Sequence, residues 1–384
     1  MNLRTVEKCE VAIVGAGPAG SVAARELARR GIAVVLIDKA IFPRWKVCGC
    51  CLNLNALSTL RMIGLAELPR KAGAIPLHRL CLGAGGRKAM LSLPGGVSLS
   101  RESFDQAMIQ TAIQAGSRFL PGTRATMESE ESDFRTLRLE REGVESVLQA
   151  RVVLAADGLN GRLAASAEGF EVHSRVHSRI GAGTILSDAP AQFQPGIIYM
   201  ATSKGGYVGM VRLAGDQLDL AAAFDSELVR EAGSLASAAE KILKENRWKI
   251  SGLGEANWKG TPALTRTPER IAGHRWFALG DSAGYVEPFT GEGMAWAMSS
   301  AVTIVPLVQQ GLVDWNPRLA VEWKRVHHRV VGGRQRTCRW LARLLLHPTL
   351  CSLAVRGLAA MPLLARPLIH WLNHRSTPVA ESYL

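Results

Sequence analysis

The chain has 384 residues, enough for about two domains, and its 47% hydrophobic and 21% charged residues exclude a disordered protein. Its net charge is +13, and the segment Trp323–Arg375 holds ten Lys or Arg residues and no Asp or Glu. A basic, leucine-rich tail of this kind predicts contact with an anionic surface. Because no nucleic-acid-binding motif accompanies it, we predict no nucleic-acid partner and favour a membrane surface.

The cysteines and the N-terminus indicate the compartment. Seven cysteines are an odd number, and their spacing is not that of a secreted disulfide scaffold, so reduced thiols are expected. The first ten residues have no apolar signal-peptide core before the first predicted strand. Both features predict a cytoplasmic protein.

The first predicted strand and the turn after it carry the strongest signal. Val11–Val14 is a short apolar run, typical of a strand buried on both faces of a parallel sheet. The pattern G-x-G-x-x-G follows at Gly15, Gly17 and Gly20. We expect Gly15 to make the tight turn, Gly17 to admit a pyrophosphate and Gly20 to allow close helix packing. Residues 21–30 have helical composition, so free N–H groups would face the diphosphate.

A second predicted strand, Ile32–Ile37, ends at Asp38, near the spacing at which a carboxylate accepts the ribose hydroxyls. The glycines alone are a weak pattern. The order of strand, glycines, helix, strand and acid is much more specific, and it predicts a dinucleotide-binding site.

The next segment, Lys39–Leu60, is predicted to be a loop that leads into a helix starting near Asn53 or Asn55. Three cysteines lie in it: Cys48, Cys50 and Cys51. A structural zinc site needs four ligands, usually in two spaced pairs, and no second pair or histidine cluster lies nearby, so we predict no metal. A loop that faces a cofactor is favoured, and a packed, buried loop is the alternative.

A predicted hairpin and a predicted helix follow this loop. Ile75–Leu99 suits a β-hairpin that returns to the first domain, and Ser100–Gly116 has the periodicity of a helix. Arg101 lies at the start of that helix, where a guanidinium can reach a phosphate or a sugar. The alternative is an exposed arginine, which the helix dipole would disfavour.

A further buried strand, Val152–Ala155, is followed by Asp157 and Gly158 at its carboxyl end, the edge where open α/β sheets bind ligands. This Asp-Gly pair alone is a common turn. Ser174–Leu264 has the alternation of a larger sheet with one or two helices and no nucleotide motif. It is the candidate substrate-binding region.

A second informative stretch runs from Arg275 to Leu307, where a short strand precedes Asp281 and a glycine-rich loop precedes a helix from Met294. Such a helix start offers N–H groups and a positive dipole end to a developing anion, whereas the alternative is a plain connection. The region after Pro317 is expected to be helical. Its segment Trp340–Trp371 is apolar but too often interrupted for a clean membrane span. A helix lying on a membrane surface and a buried helical cap both remain open.

Together, four motifs resemble the FAD-dependent oxidoreductases of the geranylgeranyl reductase family, which are related to aromatic-hydroxylase-type flavin monooxygenases and flavin-dependent halogenases. The motifs are G-A-G-P-A-G with Asp38, F-P-R-W-K-V-C-G, A-A-D-G and G-D-S-A-G-Y-V-E-P-F-T-G-E-G. The resemblance covers about residues 8–165 and 270–310. It implies an α/β fold with a Rossmann-like FAD-binding domain, a β-sheet substrate domain and a C-terminal helical segment. The FAD-binding domain is predicted to comprise residues 1-75 plus 96-170 plus 265-312. The substrate-binding domain would comprise 76-95 plus 171-264, and the helical C-terminal region 313-384.

The resemblance also implies a role for each matched residue. Gly15, Gly17 and Gly20 would hold the diphosphate of FAD, Asp38 would bind its ribose, and Arg101 would approach its adenine half. Arg44 would lie by the cofactor, and Lys46, Cys48 and Gly49 would lie next to the isoalloxazine. Asp157 and Gly158 would form the turn shared between FAD and nicotinamide, Asp281 would bind the ribityl chain, and Gly291 and Gly293 would place N–H groups against the flavin N1–C2 carbonyl.

Three residues are candidates for catalysis. Cys48 either donates a proton or simply packs beside the flavin. Glu287 and Glu292 either relay protons, if an apolar pocket raises their pKa, or complement the positive start of the following helix.

A single G-x-G-x-x-G pattern implies that NAD(P)H visits the flavin without a domain of its own, unlike the two-Rossmann disulfide reductases. We therefore expect NAD(P)H-dependent reduction of an isoprenoid-like or polyketide-like substrate. The main alternative is monooxygenation of a phenolic or lipid substrate. A halogenase is less favoured because Gly205–Leu213 lacks the paired tryptophans of that class. A flavin-binding partner without turnover is the last alternative.

Overall fold

The computed structural model describes residues 6–164, 171–174, 178–287, 291–344 and 348–361. Its strands, in chain order, are β1 (Val6–Val14), β2 (Val34–Ile37), β3 (Cys51–Leu52), β4 (Ile75–Pro76), β5 (Arg79–Ala84), β6 (Arg87–Ser92), β7 (Val97–Ser98), β8 (Arg118–Leu120), β9 (Arg124–Glu130), β10 (Arg135–Arg141), β11 (Val144–Ala155), β12 (Val172–Ser174), β13 (Ile180–Leu186), β14 (Ile197–Ser203), β15 (Gly206–Leu213), β16 (Gln217–Phe224), β17 (Lys259–Ala263), β18 (Arg266–Pro268), β19 (Ala272–Gly273) and β20 (Trp276–Ala278).

The helices, in chain order, are α1 (Pro18–Ala28), α2 (Leu54–Met62), α3 (Leu68–Lys71), α4 (Arg101–Gln114), α5 (Ser226–Ala232), α6 (Leu235–Glu245), α7 (Gly293–Val313), α8 (Arg318–His327), α9 (Gly333–Leu344) and α10 (Pro348–Ala360). A 3-10 turn covers Gly280–Ala283, and a π-helical turn joins α8 to α9. Asn53 caps α2 by accepting a hydrogen bond from the Ala56 N–H, so that helix begins where the sequence predicts.

The first sheet has a parallel core in the order β20-β11-β1-β2-β8, and β10 and β9 extend it as an antiparallel meander. Side chains of β1 alternate between the two faces: Val11 and Ile13 pack under α1, α4 and α7, whereas Ala12 and Val14 pack under the meander. Both faces are covered, which explains the continuous apolar run of this strand. The order is that of a Rossmann-like core.

The second sheet has seven strands in the order β17-β13-β16-β15-β14-β5-β6. Helix α6 packs on one face, mainly through Ala239, Ile242 and Leu243. The β5–β6 hairpin comes from an earlier part of the chain and joins this sheet because β5 pairs in parallel with β14. Strand β7 then pairs with β3 and returns the chain to the first domain, as the alternation predicts.

All strands of the first sheet come from the ranges predicted for the FAD-binding domain, and all strands of the second sheet from those predicted for the substrate domain. The boundaries between them remain a prediction.

The C-terminal region packs on both sheets. Trp323 of α8 is fully buried beside Phe277 of the first sheet, and its indole N–H donates a hydrogen bond to the Ala278 carbonyl (3.1 Å). Helix α10 packs against β5 and β6 through Val355, which is 1% exposed. The described part of the tail therefore caps the second sheet, and the rest of Trp340–Trp371 lies outside the described residues.

One described helix, α7, is long and apolar enough to cross a membrane. Most of it is buried between the first sheet and α1, which is also how a core helix of this composition packs.

Candidate active site

The turn between β1 and α1 leaves no space for side chains at two of its glycines. Gly15 has φ +106°, and a Cβ there would lie 2.2 Å from the Ala156 carbonyl oxygen. A Cβ on Gly20 would lie 1.8 Å from the Gly15 carbonyl oxygen, so only glycine lets α1 approach β1 this closely. Gly17 is different. Its Cβ would meet only the guanidinium ends of Arg101 and Arg44, at 3.8 and 3.9 Å, so an anion has room there.

Asp38 holds this turn in place. Its Oδ2 accepts a hydrogen bond from the Ala16 N–H, and its Oδ1 accepts one from the Ala40 N–H, both at 2.8 Å. The carboxylate ends β2 beside the glycine turn, where a ribose would lie in a Rossmann-like site. Its predicted contact with the ribose is compatible with this position.

Two arginines, Arg101 and Arg44, lie beside the glycine turn. Arg101 is 5% exposed and donates two hydrogen bonds to Asp105 (2.9 and 2.7 Å), and Arg44 lies 3.4 Å from the same carboxylate. Arg44 also lies 4.0 Å from the Asp38 carboxylate, so two guanidinium groups and two carboxylates stand together beside Gly17. Arg101 is buried near Gly17, so the alternative of an exposed arginine is wrong. Its predicted role toward the adenine half remains a prediction.

Lys46 lies near two turns that carry acidic residues, the Asp157–Gly158 turn and the 3-10 turn with Asp281. Together with the glycine turn and the two arginines, they form the predicted cofactor site, which is called the cradle below. A Cβ on Gly158 would lie 3.0 Å from the Lys46 ammonium, which is the cation next to that turn. Asp157 Oδ1 accepts a hydrogen bond from the Ser282 hydroxyl (3.0 Å), so the Asp-Gly turn is tied to the segment that carries Asp281. Burial raises the pKa of Asp281, and Lys46 and Arg101 oppose that rise.

The cysteine loop lies between the two sheets. Cys48 and Gly49 line the central cavity, whereas Cys50 is fully buried with φ +49°. A hydrogen bond from Cys50, followed by the Arg101 charge, lowers the pKa of Cys48 to about 6 despite burial. Burial raises the pKa of Cys51, which lies next to them. Among the described residues, no three His, Cys, Asp or Glu side chains are placed to hold a metal ion.

The two candidate glutamates have different surroundings. Glu287 is paired with Arg179 (3.0 Å), which also binds Asp225 (3.1 Å), and burial raises the Glu287 pKa. Glu287 therefore belongs to a buried ionic network and not to the start of α7. Glu292 immediately precedes α7 and binds Arg334 of α9 (3.0 Å). Its position suits complementing the helix dipole, and burial raises its pKa as well.

The central cavity has a volume of about 420 Å³ and joins the cradle to the second sheet. One end is formed by Gly17, Lys46, Cys48, Asp281, Gly291 and Gly293. The other end is apolar, and its lining residues are Leu80, Leu82, Leu91, Leu93, Ile198, Met200, Met210 and Leu358. Tyr207 and Tyr285 also line it, with phenol groups whose pKa is raised by burial. The cradle fits a bound FAD, because buried cations face an open glycine at a helix N-terminus.

Sequence reasoning missed several lining residues. The leucines of the hairpin alternate along β5 and β6, which was a visible signal for one buried face but not for a substrate cavity. Tyr207, Tyr285 and Leu358 reach the cavity only through the packing of distant segments, so local patterns could not reveal them.

The chain is similar to two curated reductases. It is 27% identical over 316 residues to menaquinone reductase of Mycobacterium tuberculosis, covering 77% of this chain and 75% of that protein. It is 28% identical over 353 residues to digeranylgeranylglycerophospholipid reductase 1 of Methanothermobacter thermautotrophicus, covering 85% and 84%.

Solved structures share the fold. A triple mutant of a flavin-dependent brominase has a TM-score of 0.78 at 18% identity, covering 98% of both chains. A probable FAD-dependent monooxygenase from Pseudomonas aeruginosa has a TM-score of 0.68 at 20% identity, covering 90% of this chain and 99% of that one.

The family comparison covers most of the chain. A family profile described as an FAD binding domain matches residues 8–310, which include the glycine turn, the cysteine loop and the start of α7. The chain therefore belongs to the FAD-binding-domain family, and it is an FAD-dependent enzyme of the oxidoreductase and monooxygenase class.

Proposed function

We propose that the enzyme uses NAD(P)H to reduce a carbon–carbon double bond in an isoprenoid-like or polyketide-like substrate. The observation that carries this proposal is the cavity, which runs from the cofactor cradle into a pocket of leucine, isoleucine and methionine side chains. Such a wall binds hydrocarbon chains through apolar burial and offers few polar partners. Two relatives of similar length are named as reductases of menaquinone and of a digeranylgeranyl lipid, which supports the same substrate class.

The residues of the cradle have distinct tasks in this proposal. The N–H groups at the start of α1 would bind the diphosphate of FAD with Arg44 close by, Arg101 would approach the adenine half, and Lys46 and Asp281 would orient the flavin end. When bound, reduced FAD supplies a hydride, and the alkene then requires one proton. Cys48 lines the cavity and would deliver that proton from Sγ to the substrate carbon.

We also propose that NAD(P)H approaches the flavin from the open cavity, past the turn of Asp157 and Gly158. The chain has one G-x-G-x-x-G turn, so a second resident dinucleotide is not expected.

Product analysis tests this function. The FAD-loaded enzyme is incubated with NADH or NADPH and with a polyprenyl quinone or a polyprenyl lipid. The expected product is heavier than the substrate by two hydrogens, and one of them, from a nicotinamide deuterated at C4, is held on carbon and not in an exchangeable quinol O–H. An unchanged substrate across both nucleotides and both lipids would contradict the proposal.

A monooxygenase is the second candidate, because the phenols of Tyr207 and Tyr285 add hydrogen-bonding groups to the cavity that suit a phenolic substrate. The test is incubation with isotope-labelled oxygen and a phenol. Label in the product would favour hydroxylation, whereas a halogenated product would favour the brominase-like alternative. Absence of flavin reduction by NAD(P)H would favour a partner protein without turnover.

We further propose that a cytoplasmic enzyme docks on an anionic membrane surface through its C-terminal helices. Leu350, Leu353 and Met361 of this region are 47%, 62% and 59% exposed, although Val355 on the opposite side packs inward. The double substitution Leu350→Glu and Leu353→Glu should weaken sedimentation with phosphatidylglycerol vesicles by at least about tenfold, since each buried leucine contributes about 1.5–3 kcal/mol. Val321→Glu on α8, also exposed, is the matched control. Equal sedimentation of both variants and of the unaltered protein would contradict docking.

A further inference from the structure

The apolar part of the cavity has a floor made of side chains from the second sheet. Strand register places four lining residues side by side on β16, β15, β14 and β5, namely Ala221, Gly209, Met200 and Leu82. Side chains two residues apart on a strand share a face. The next row on this face, from β15 to β5, also lines the cavity and consists of Val211, Ile198 and Leu80. The floor therefore crosses four neighbouring strands.

The side chains of the first row grow larger with distance from the cysteine loop. Ala221 lies at the loop end, since a Cβ on Gly49 would lie 4.0 Å from the Ala221 Cβ. Gly209 follows without a side chain, and a Cβ there would meet the Met200 methyl group at 3.4 Å. Met200 and Leu82 then fill the face. The floor is recessed beside the cofactor cradle and raised toward β5, so this part of the cavity is a trough.

Helix α10 bounds the trough at its β5 end. Cys351, Val355 and Leu358 follow the spacing of one helical face. That face packs on the β5–β6 hairpin in one apolar cluster that includes Leu80 and Leu82. Leu358 also lines the cavity. It therefore stands at the end of the trough that is farther from the cysteine loop.

A limit on length needs an end wall that stays in place, and α10 is anchored before it reaches the cavity. A Cβ on Gly85, in the turn between β5 and β6, would lie 3.0 Å from the Ser352 hydroxyl oxygen, so the helix approaches that turn closely. One turn later Val355 is buried against the hairpin at 1% exposure. Leu358 follows almost one turn after Val355, so its position is set by packing on both strands.

The spacing of the strands sets the length of the trough. Three steps of about 4.8 Å separate β16 from β5, so the floor is about 14 Å long. With C–C bonds of about 1.5 Å in a zigzag, an extended chain of about a dozen carbon atoms spans this distance. A longer chain must displace Leu358 or leave the trough.

We propose that the trough selects substrates by the length of their hydrocarbon tail and that Leu358 sets the upper limit. This inference rests on the proposed function, because the reacting double bond is placed at the cradle end and the rest of the tail along the trough. Each CH2 group that fits between Ala221 and Leu358 leaves water and adds to binding, whereas each one beyond Leu358 does not. Leu358 contacts the tail and takes no part in hydride or proton transfer, so it is a specificity-determining residue.

Binding of straight-chain 1-alkanols to the oxidised, FAD-loaded enzyme gives the first test, because it requires no turnover. Titrations followed by flavin absorbance give a Kd for each alkanol from six to sixteen carbons. The Kd should fall about fourfold with each added CH2 group and stop falling near about twelve carbons. A Kd that falls at the same rate up to sixteen carbons would overturn the proposal.

Two substitutions at one position should move this limit in opposite directions. Leu358→Ala should raise it by about three carbon atoms, the number that the substitution removes from the side chain. Leu358→Trp should lower it, because the larger side chain shortens the trough. Arg356→Ala is the matched control, since Arg356 is exposed on the same helix. An unchanged limit in either Leu358 variant would overturn the proposal, and one of them suffices if the other does not fold.

Turnover gives the second test. Quinones with prenyl tails of three and four isoprene units are reduced in competition, with NADH or NADPH as the donor. Leu358→Ala should raise kcat/KM for the longer tail relative to the shorter one by at least about tenfold, whereas Arg356→Ala should leave the ratio unchanged. The same ratio in Leu358→Ala as in the unaltered enzyme would overturn the proposal.

The two tests separate this inference from the proposed function. If the unaltered enzyme reduces neither quinone, the proposed function fails. Selection by length is then judged by the alkanol titrations alone, where a limit that moves with the size of residue 358 supports it and an unmoved limit overturns it.

Discussion

At the residue scale, the glycine turn shows how folding and cofactor binding depend on the same atoms. The atoms that a Cβ on Gly20 or Gly15 would strike are backbone oxygens of the turn and of Ala156, the residue after β11, and they cannot rotate away as a side-chain end does. Either α1 or β1 must move if a methyl group is added. The N–H groups at the start of α1 would then leave the place where Arg44 and Arg101 converge.

Gly20→Ala should therefore lose most of its bound FAD and unfold at a lower temperature. Flavin absorbance per mole of protein and a thermal melt measure both effects. Gly254→Ala is the control, because a Cβ there meets nothing within 4 Å and its φ is not left-handed. Full FAD content in Gly20→Ala would show that the cradle tolerates a displaced helix and would contradict this account.

At the element scale, local sequence patterns predicted those strands, turns and helix ends that neighbouring residues determine. The strand, turn and helix of residues 11–28, the cap at Asn53 and the helix start near Met294 each depend on a short stretch of sequence. Pairings between distant segments were beyond such patterns. Glu287 is 108 residues from Arg179, and the two side chains meet only because the segment before α7 packs against the start of β13.

Trp323 is the largest of the side chains that α8 buries. Trp323 is fully buried and donates a hydrogen bond to the first sheet, so Trp323→Ala should lower the free energy of unfolding by about 3–5 kcal/mol. Urea denaturation measures this loss. Val321→Ala, at 71% exposure on the same helix, should change it by less than about 0.5 kcal/mol. Similar small losses in both variants would mean that α8 is not part of the cooperative core.

Helix α9 is tied to the start of α7 by Arg334 and Glu292. Burial raises the folded-state pKa of Glu292, and Arg334 opposes this rise. In Arg334→Ala the folded-state pKa should rise further above its unfolded value. A buried acid with a raised pKa destabilises the folded state once the pH exceeds the unfolded value.

Arg334→Ala should thus lose little stability near pH 4 and about 1–3 kcal/mol near pH 7. Urea denaturation at the two pH values measures the difference, and Arg325→Ala on the exposed face of α8 serves as the control. A loss that is equal at both pH values would contradict a charge interaction at Glu292.

At the scale of the whole molecule, the cavity lies where the two sheets meet. The first sheet supplies a cradle rich in cations and glycine N–H groups, and the second supplies an apolar wall that α10 completes through Leu358. A buried network of Arg179, Glu287 and Asp225 joins the second sheet to the segment before α7. This arrangement would place the proposed apolar substrate directly against the cofactor.

Anaerobic re-oxidation of the reduced enzyme tests the central claim most directly. FAD-loaded protein is reduced with NADPH or NADH in the absence of oxygen, a polyprenyl quinone or lipid is added, and flavin absorbance is followed. The account predicts that the oxidised flavin spectrum returns at a rate that depends on the lipid concentration, with a saturated bond in the product. A flavin that NAD(P)H does not reduce, or that re-oxidises only when oxygen is admitted, would contradict it.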